Sequence, residues 1–129
     1  MRITPFYAAA CAVLLVALAA HISRLRGTLH VGLGDGGVKQ LQRAVRAHGN
    51  LAEFVPTALL LMIIVELQGA APLVLHALGI SLVVARIAHA VGVLRSSGTS
   101  PGRFFGTAVT WTMILAGAAV GVYYALVAR

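Results

Sequence analysis

The chain has 129 residues, 60% hydrophobic and 10% charged, with mean hydropathy +0.94 and a formal net charge of +7. A soluble domain is about 45–50% apolar and about 25% charged, so this composition excludes an ordinary soluble domain and indicates an integral membrane protein. At about 20 residues per spanning helix, the length accommodates four helices with short connections in one domain, residues 1–129, and no second domain.

The first apolar stretch, about Ile3 to Ala20, is long for the core of a signal peptide. It runs into His21, Arg24 and Arg26 where a small-residue cleavage site would stand. It reads as a retained first span, about Ile3 to Arg24. Cys11 is the lone cysteine and lies inside this span, which excludes an internal disulfide and suits a buried, inert thiol.

The loop RGTLHVGLGDGG follows, and its Gly32-Leu-Gly-Asp-Gly-Gly37 fits G-x-G-x-x-G. A dinucleotide site needs a strand before that motif and a βαβ unit around it. Here a spanning helix precedes it, so the segment reads as a flexible turn with Asp35 near a helix start.

A long helix is expected from about Gly37 to Gln68. Pro56 removes one backbone donor within it and should bend it, and Gly69 is suited to end it. The third span is about Leu73 to Leu94, RSSGTSPG is a polar turn, and the fourth span is about Arg103 to Ala128. Trp111 lies in that last span, and Tyr123 and Tyr124 suit a membrane interface. Its small residues, GTAVTWTMILAGAAVG, suit close helix contacts in lipid. So short a chain has little interior of its own, and a homo-oligomer is expected.

Charge placement sets the expected orientation. Arg24, Arg26, Lys39, Arg43 and Arg46 lie between spans 1 and 2, and Arg95 and Arg103 flank the turn between spans 3 and 4. The opposite side has Arg2, Arg129 and the uncharged LQGAAP turn. The positive-inside rule then puts the basic connections in the cytoplasm and both termini outside. The same bias accounts for the net charge without nucleic acid, since no long basic run or interleaved aromatic set is present.

The chemistry concentrates at RAVRAHGNLAEFVP. Arg43, Arg46, Asn50 and Glu53 fall at offsets 0, 3, 7 and 10, one face of a helix that leads into the apolar PTALLLMIIV. Arg86 and His89, three residues apart, share a face of span 3. A charge at mid-membrane costs about 2.5–3.5 kcal/mol on insertion scales, so Arg86 and Glu53 need partners. An Arg–Glu pair that fixes helix packing would serve. So would an anion site, in which guanidinium groups take a carboxylate bidentately, Asn50 orients the ligand and Glu53 receives an amino group. His48 lies off the centre of the stripe and reads as interfacial. His21, His30 and His76 are scattered without metal-ligand spacing, so no metal site is assigned.

These residues resemble the MAPEG superfamily, the membrane-associated proteins in eicosanoid and glutathione metabolism. The pattern R-x-H-x-N-x-x-E-x-x-P stands as Arg46, His48, Asn50, Glu53 and Pro56, and GDGG (Gly34 to Gly37) looks like a branch of small bacterial inner-membrane members. ARIAHAVG, with Arg86 and His89, resembles the family's third helix, and PGRFFGTAVTW its fourth, opened by Arg103.

The resemblance implies an all-α, four-helix membrane protomer, a homotrimer, and a glutathione site at the cytoplasmic end between subunits. Arg46, Asn50, Glu53, Arg86 and His89 would contact glutathione, with Arg43 and His48 as possible additions. Arg103 would stabilise the thiolate for transfer to a lipophilic electrophile or for peroxide reduction. Three departures stand against synthase chemistry: Gly49 where a second arginine is frequent, Val93 where a tyrosine is common, and Phe104 where a serine can follow the arginine. Two other readings are open: a trimeric binding or scaffold protein without chemistry, and a small transporter using Glu53 for proton coupling.

Overall fold

Prolines and glycines set the helix limits. The computed structural model describes residues 2–127, in four helices: α1 (Thr4–Leu29), α2 (Lys39–Leu67), α3 (Pro72–Arg95) and α4 (Pro101–Val127). All four are long and apolar enough to cross a membrane, and there is no strand among the described residues. At about 1.5 Å per residue even the shortest outreaches a hydrocarbon core of about 30 Å, so the polar ends stand in the headgroup layers. Ala128 and Arg129, which enter the expected fourth span and charge balance, lie outside the described residues.

The four expected spans are all present, with shifted ends. α1 continues five residues beyond Arg24, because the polar SRLRGTL contains good helix formers. Its end is set by His30 in the left-handed region (φ 54°) and by the Val31 N–H donating to the Arg26 carbonyl at 3.1 Å. α2 starts two residues later than expected because Gly36 and Gly37 have φ of 58° and 74°, values no right-handed helix accepts. Asp35 does not cap α2. Its carboxylate accepts the Gly37 N–H at 2.9 Å and closes the turn instead. Pro72 and Pro101 begin α3 and α4, where a missing N–H costs nothing. Ser100 caps α4, its hydroxyl accepting the Arg103 N–H at 3.3 Å.

α3 is the central helix. It touches the other three and packs most extensively on α4, while α1 and α4 do not meet. The core combines Leu51, Ala58 and Met62 of α2 with Leu78, Leu82 and Val93 of α3 and Met113 of α4. Phe6, Val13, Val16, Leu60, Ile80, Leu115 and Leu126 are exposed on the outer faces. In water such a surface would drive association, and in a bilayer it is the lipid-facing wall.

Each end has its own fastening. At one end the Arg43 guanidinium donates to the Arg95 carbonyl at 3.4 Å, which places the α1–α2 loop and the α3–α4 turn together. At the other, the Tyr7 hydroxyl and His76 Nδ1 lie 2.7 Å apart, and the Ala71 N–H donates to the Tyr124 hydroxyl. Glu66, near the C-terminal end of α2, accepts the N–H groups of Ile3 and Thr4 and so caps α1 from another helix. Glu66→Ala should therefore lower stability by about 1 kcal/mol, a charged-acceptor value reduced for a partly exposed site. The check is the melting temperature of the detergent-solubilised protein, and an unchanged value would remove the cap from the account.

Candidate functional site

The polar stripe of α2 meets α3 and α4 at the basic end, and Arg86 is its centre. The arginine side chain is 2% exposed in the middle of an apolar helix. Its guanidinium donates to the Asn50 amide oxygen at 2.7 Å and to the Gly106 carbonyl at 2.8 Å. One planar group on α3 therefore ties α2 to α4. The Phe54 ring lies 5.7 Å from the guanidinium carbon and adds an aromatic face. Arg86 Nε has no acceptor among the described residues.

Gly106 makes this clasp possible. A Cβ there would stand 2.5 Å from the Ala85 carbonyl oxygen and 2.6 Å from His89 Cβ. Only glycine lets α4 come close enough for its carbonyl to reach Arg86. The Thr110 hydroxyl donates to the same carbonyl at 2.7 Å.

The Arg86–Glu53 ion pair, one of the two arrangements the sequence left open, does not form. Glu53 instead pairs with Arg46, one heptad earlier on its own helix, at 3.3 Å. Both side chains of that pair are exposed, 63% and 53%, so water screens it and it contributes little to stability. Two of the Arg86 nitrogens are held by neutral oxygens instead, which leaves a full positive charge inside the bundle without a carboxylate beside it among the described residues.

His89 is 6% exposed, one turn from Arg86. Arg43 and His48 are half-buried on the same end of α2, Arg43 turning to the Arg95 carbonyl. Arg103 opens α4 as expected, but its guanidinium turns back onto its own connection, donating to the carbonyls of Gly98 at 2.6 Å and Ser97 at 3.4 Å.

The sequence residues thus separate into a buried group, Arg86 and His89, and an accessible rim, Arg46, Glu53 and the half-buried Asn50. Arg103 is occupied nearby. Sequence reasoning missed Gly106 and Phe54. The glycine's backbone oxygen leaves no side-chain signal, and Phe54 reads as one more apolar residue. Among the described residues, no cluster of three or more His, Cys, Asp or Glu could hold a metal.

Comparison with known proteins gives this arrangement its context. The MAPEG family model matches residues 4–123, which takes in α1 to α3 and most of α4. The chain is 39% identical over 90 residues to inner membrane protein YecN of Escherichia coli strain K12, a match covering 70% of this chain and 69% of the relative. The same protein in E. coli O6:H1 strain CFT073 matches with the same identity and coverage. With a family match along nearly its whole length and four spanning helices, the chain belongs to the MAPEG family and is a membrane protein of that family.

Proposed function

We propose that the basic end of this protein binds glutathione, or a small thiol with the same acidic peptide character, and presents it to lipophilic electrophiles from the bilayer. The observation that carries the reading is the buried Arg86 guanidinium, held by the neutral oxygens of Asn50 and Gly106 with no carboxylate beside it among the described residues, behind the exposed Arg46–Glu53 edge of α2. Such a field favours an anion. The rim supplies complementary groups: Arg46 for a carboxylate, Glu53 for an amino group, Asn50 for an amide. Arg86 supplies the charged floor behind them, with the buried His89 beside it, rather than a direct contact. The exposed Arg46–Glu53 edge is the side on which a neighbouring copy would complete the pocket, in a homotrimer with this end in the cytoplasm.

In the catalytic form of the reading, a cation beside the bound thiol favours the thiolate. The sulfur attacks the electrophilic carbon of an aryl halide, the S–C bond forms and halide leaves. Arg103 is the cation suited to this step once its guanidinium leaves the Ser97 and Gly98 carbonyls. Those two contacts, together with Phe104 standing 78% exposed beside it, favour the second reading, a membrane protein that binds the thiol and does no chemistry. Proton-coupled transport through Glu53 has less support, because Arg46 already supplies its counter-charge at an exposed end of the helix.

A thermal-shift titration of the detergent-solubilised protein tests binding. Glutathione at about 100 times its Kd should stabilise the native state by about 2.7 kcal/mol. Arg46→Ala, an exposed change that leaves the fold intact, should weaken binding about tenfold. A melting temperature indifferent to glutathione and to its S-alkyl analogues would overturn the proposal. Turnover of a generic aryl halide then separates enzyme from binder, and activity that survives Arg103→Ala would exclude Arg103 from the chemistry.

A further inference from the structure

The seam between α3 and α4 carries two depressions away from the stripe on α2. One, of about 460 Å³, is walled by apolar and small side chains, among them Val74, Ser81, Ala108, Val109 and Ala116. The other, of about 400 Å³, lies at the basic end between Ala88, Val91 and Arg95 of α3 and Ser100 and Gly102 at the start of α4.

Their lining residues are in register. On α3, Val74, Ser81, Ala88 and Arg95 follow one another at intervals of seven, as do Gly102, Val109 and Ala116 on α4. Seven residues are about two helical turns, so each set lies on one face and the two depressions lie in line along the seam, which forms the furrow. From Arg95 to Ser81 the furrow descends about 21 Å at 1.5 Å per residue, beyond the depth of one leaflet of a hydrocarbon core about 30 Å thick.

The mouth is cationic and the walls below it are apolar. Arg95 is exposed, and its guanidinium has no acceptor among the described residues; only its carbonyl is engaged, by Arg43. The first turn of α4 contains no acidic residue. The chain's own acids cannot neutralise this mouth. Glu53 pairs with Arg46, Asp35 is turned to the Gly37 N–H, and Glu66 caps α1 at the far end. A second copy laid into the furrow would therefore bring apolar surface but no spare carboxylate from its described residues.

We propose that this furrow is a binding site for an anionic phospholipid. The phosphate sits against the Arg95 guanidinium, and one acyl chain lies along Ala88 and Ser81 between the two helices. Cationic pockets between spanning helices on the inner-leaflet side are where such headgroups bind. The site shares no lining residue with the proposed thiol site and stands whether or not glutathione binds.

The test uses the full chain in bilayer discs of equal phosphatidylglycerol and phosphatidylcholine, re-extracted gently, with retained lipid counted by native mass spectrometry. Phosphatidylglycerol should be retained about fivefold over phosphatidylcholine, whose choline cation cancels the headgroup charge that Arg95 meets; this is the effect of about one basic residue on an anionic lipid. Arg95→Gln, at an exposed position, should bring the two lipids close to parity. Ala108→Phe, which fills the furrow, should lower retention of both. Excess inorganic phosphate should leave the bound lipid in place. Equal retention by the unmodified chain, a preference that survives Arg95→Gln, or displacement by inorganic phosphate would each overturn the proposal. So would Ala108→Phe changing the oligomer mass while the lipid count stays fixed, since that outcome assigns the furrow to a second copy.

Discussion

Alanine in place of Arg86 should lower the stability of the solubilised protein by about 2–4 kcal/mol, the combined effect of a large core cavity and two lost charge-assisted hydrogen bonds, less the relief of burying a cation. The loss falls unevenly. The Gly106 carbonyl keeps the Thr110 hydroxyl as a donor, and the half-buried Asn50 can turn to water, so little is left unsatisfied. What disappears is the link between α2 and α4. Arg86→Lys should not restore it, because a point ammonium cannot reproduce the planar fork that reaches Asn50 and Gly106 together.

The informative variant is the double substitution Arg86→Met with Asn50→Leu. Buried ionic groups replaced by apolar ones of similar volume are often neutral or stabilising, so this protein should melt near the wild-type temperature. A stable double variant that no longer shifts with glutathione identifies the Arg86–Asn50 pair as part of the thiol site. A stable variant with the full glutathione shift reduces Arg86 to a helix clasp and removes the central argument for anion binding.

What the sequence made legible follows from the range of each interaction. Four spans were readable because hydropathy is a local sum over about twenty residues, and their order fixed which connections share an end. Helix ends moved by up to five residues where a local cue outweighed the apolar pattern. The positive φ at Gly36 and Gly37 delayed α2, and the Ser100 cap with Pro101 advanced α4. The stripe of Arg43, Arg46, Asn50 and Glu53 was legible as one face, but its pairing was not. Periodicity shows that Arg46 and Glu53 can meet as readily as that Glu53 can cross to Arg86. Choosing between them needs the distance between α2 and α3, which depends on packing across the whole bundle. Glu66 was passed over for the same reason: the N–H groups it caps belong to residues 62 and 63 positions away.

Gly106→Ala should approach the loss of Arg86 itself, costing about 1–3 kcal/mol, although it adds a single methyl group. The new carbon would meet the Ala85 carbonyl oxygen at 2.5 Å and the His89 backbone nitrogen at 2.8 Å. Neither is the mobile tip of a side chain, so α4 must move off α3. The Arg86–Gly106 bond lengthens with that movement, and the seam at Gly92, where a Cβ would stand 2.6 Å from the Arg103 nitrogen, opens as well. Gly49→Ala is the matched control. It lies in α2 with nothing within 4 Å of an added Cβ, so replacing glycine inside a helix should there stabilise by roughly 0.5–1 kcal/mol. The two variants change the same chemistry in opposite directions, and their melting temperatures can be read side by side. Equal, small shifts at both positions would mean that the α3–α4 contact is looser than the clasp requires. A fall confined to Gly106→Ala, with glutathione stabilisation lost in the fraction that stays folded, would tie the close approach of the two helices to the placement of Arg86.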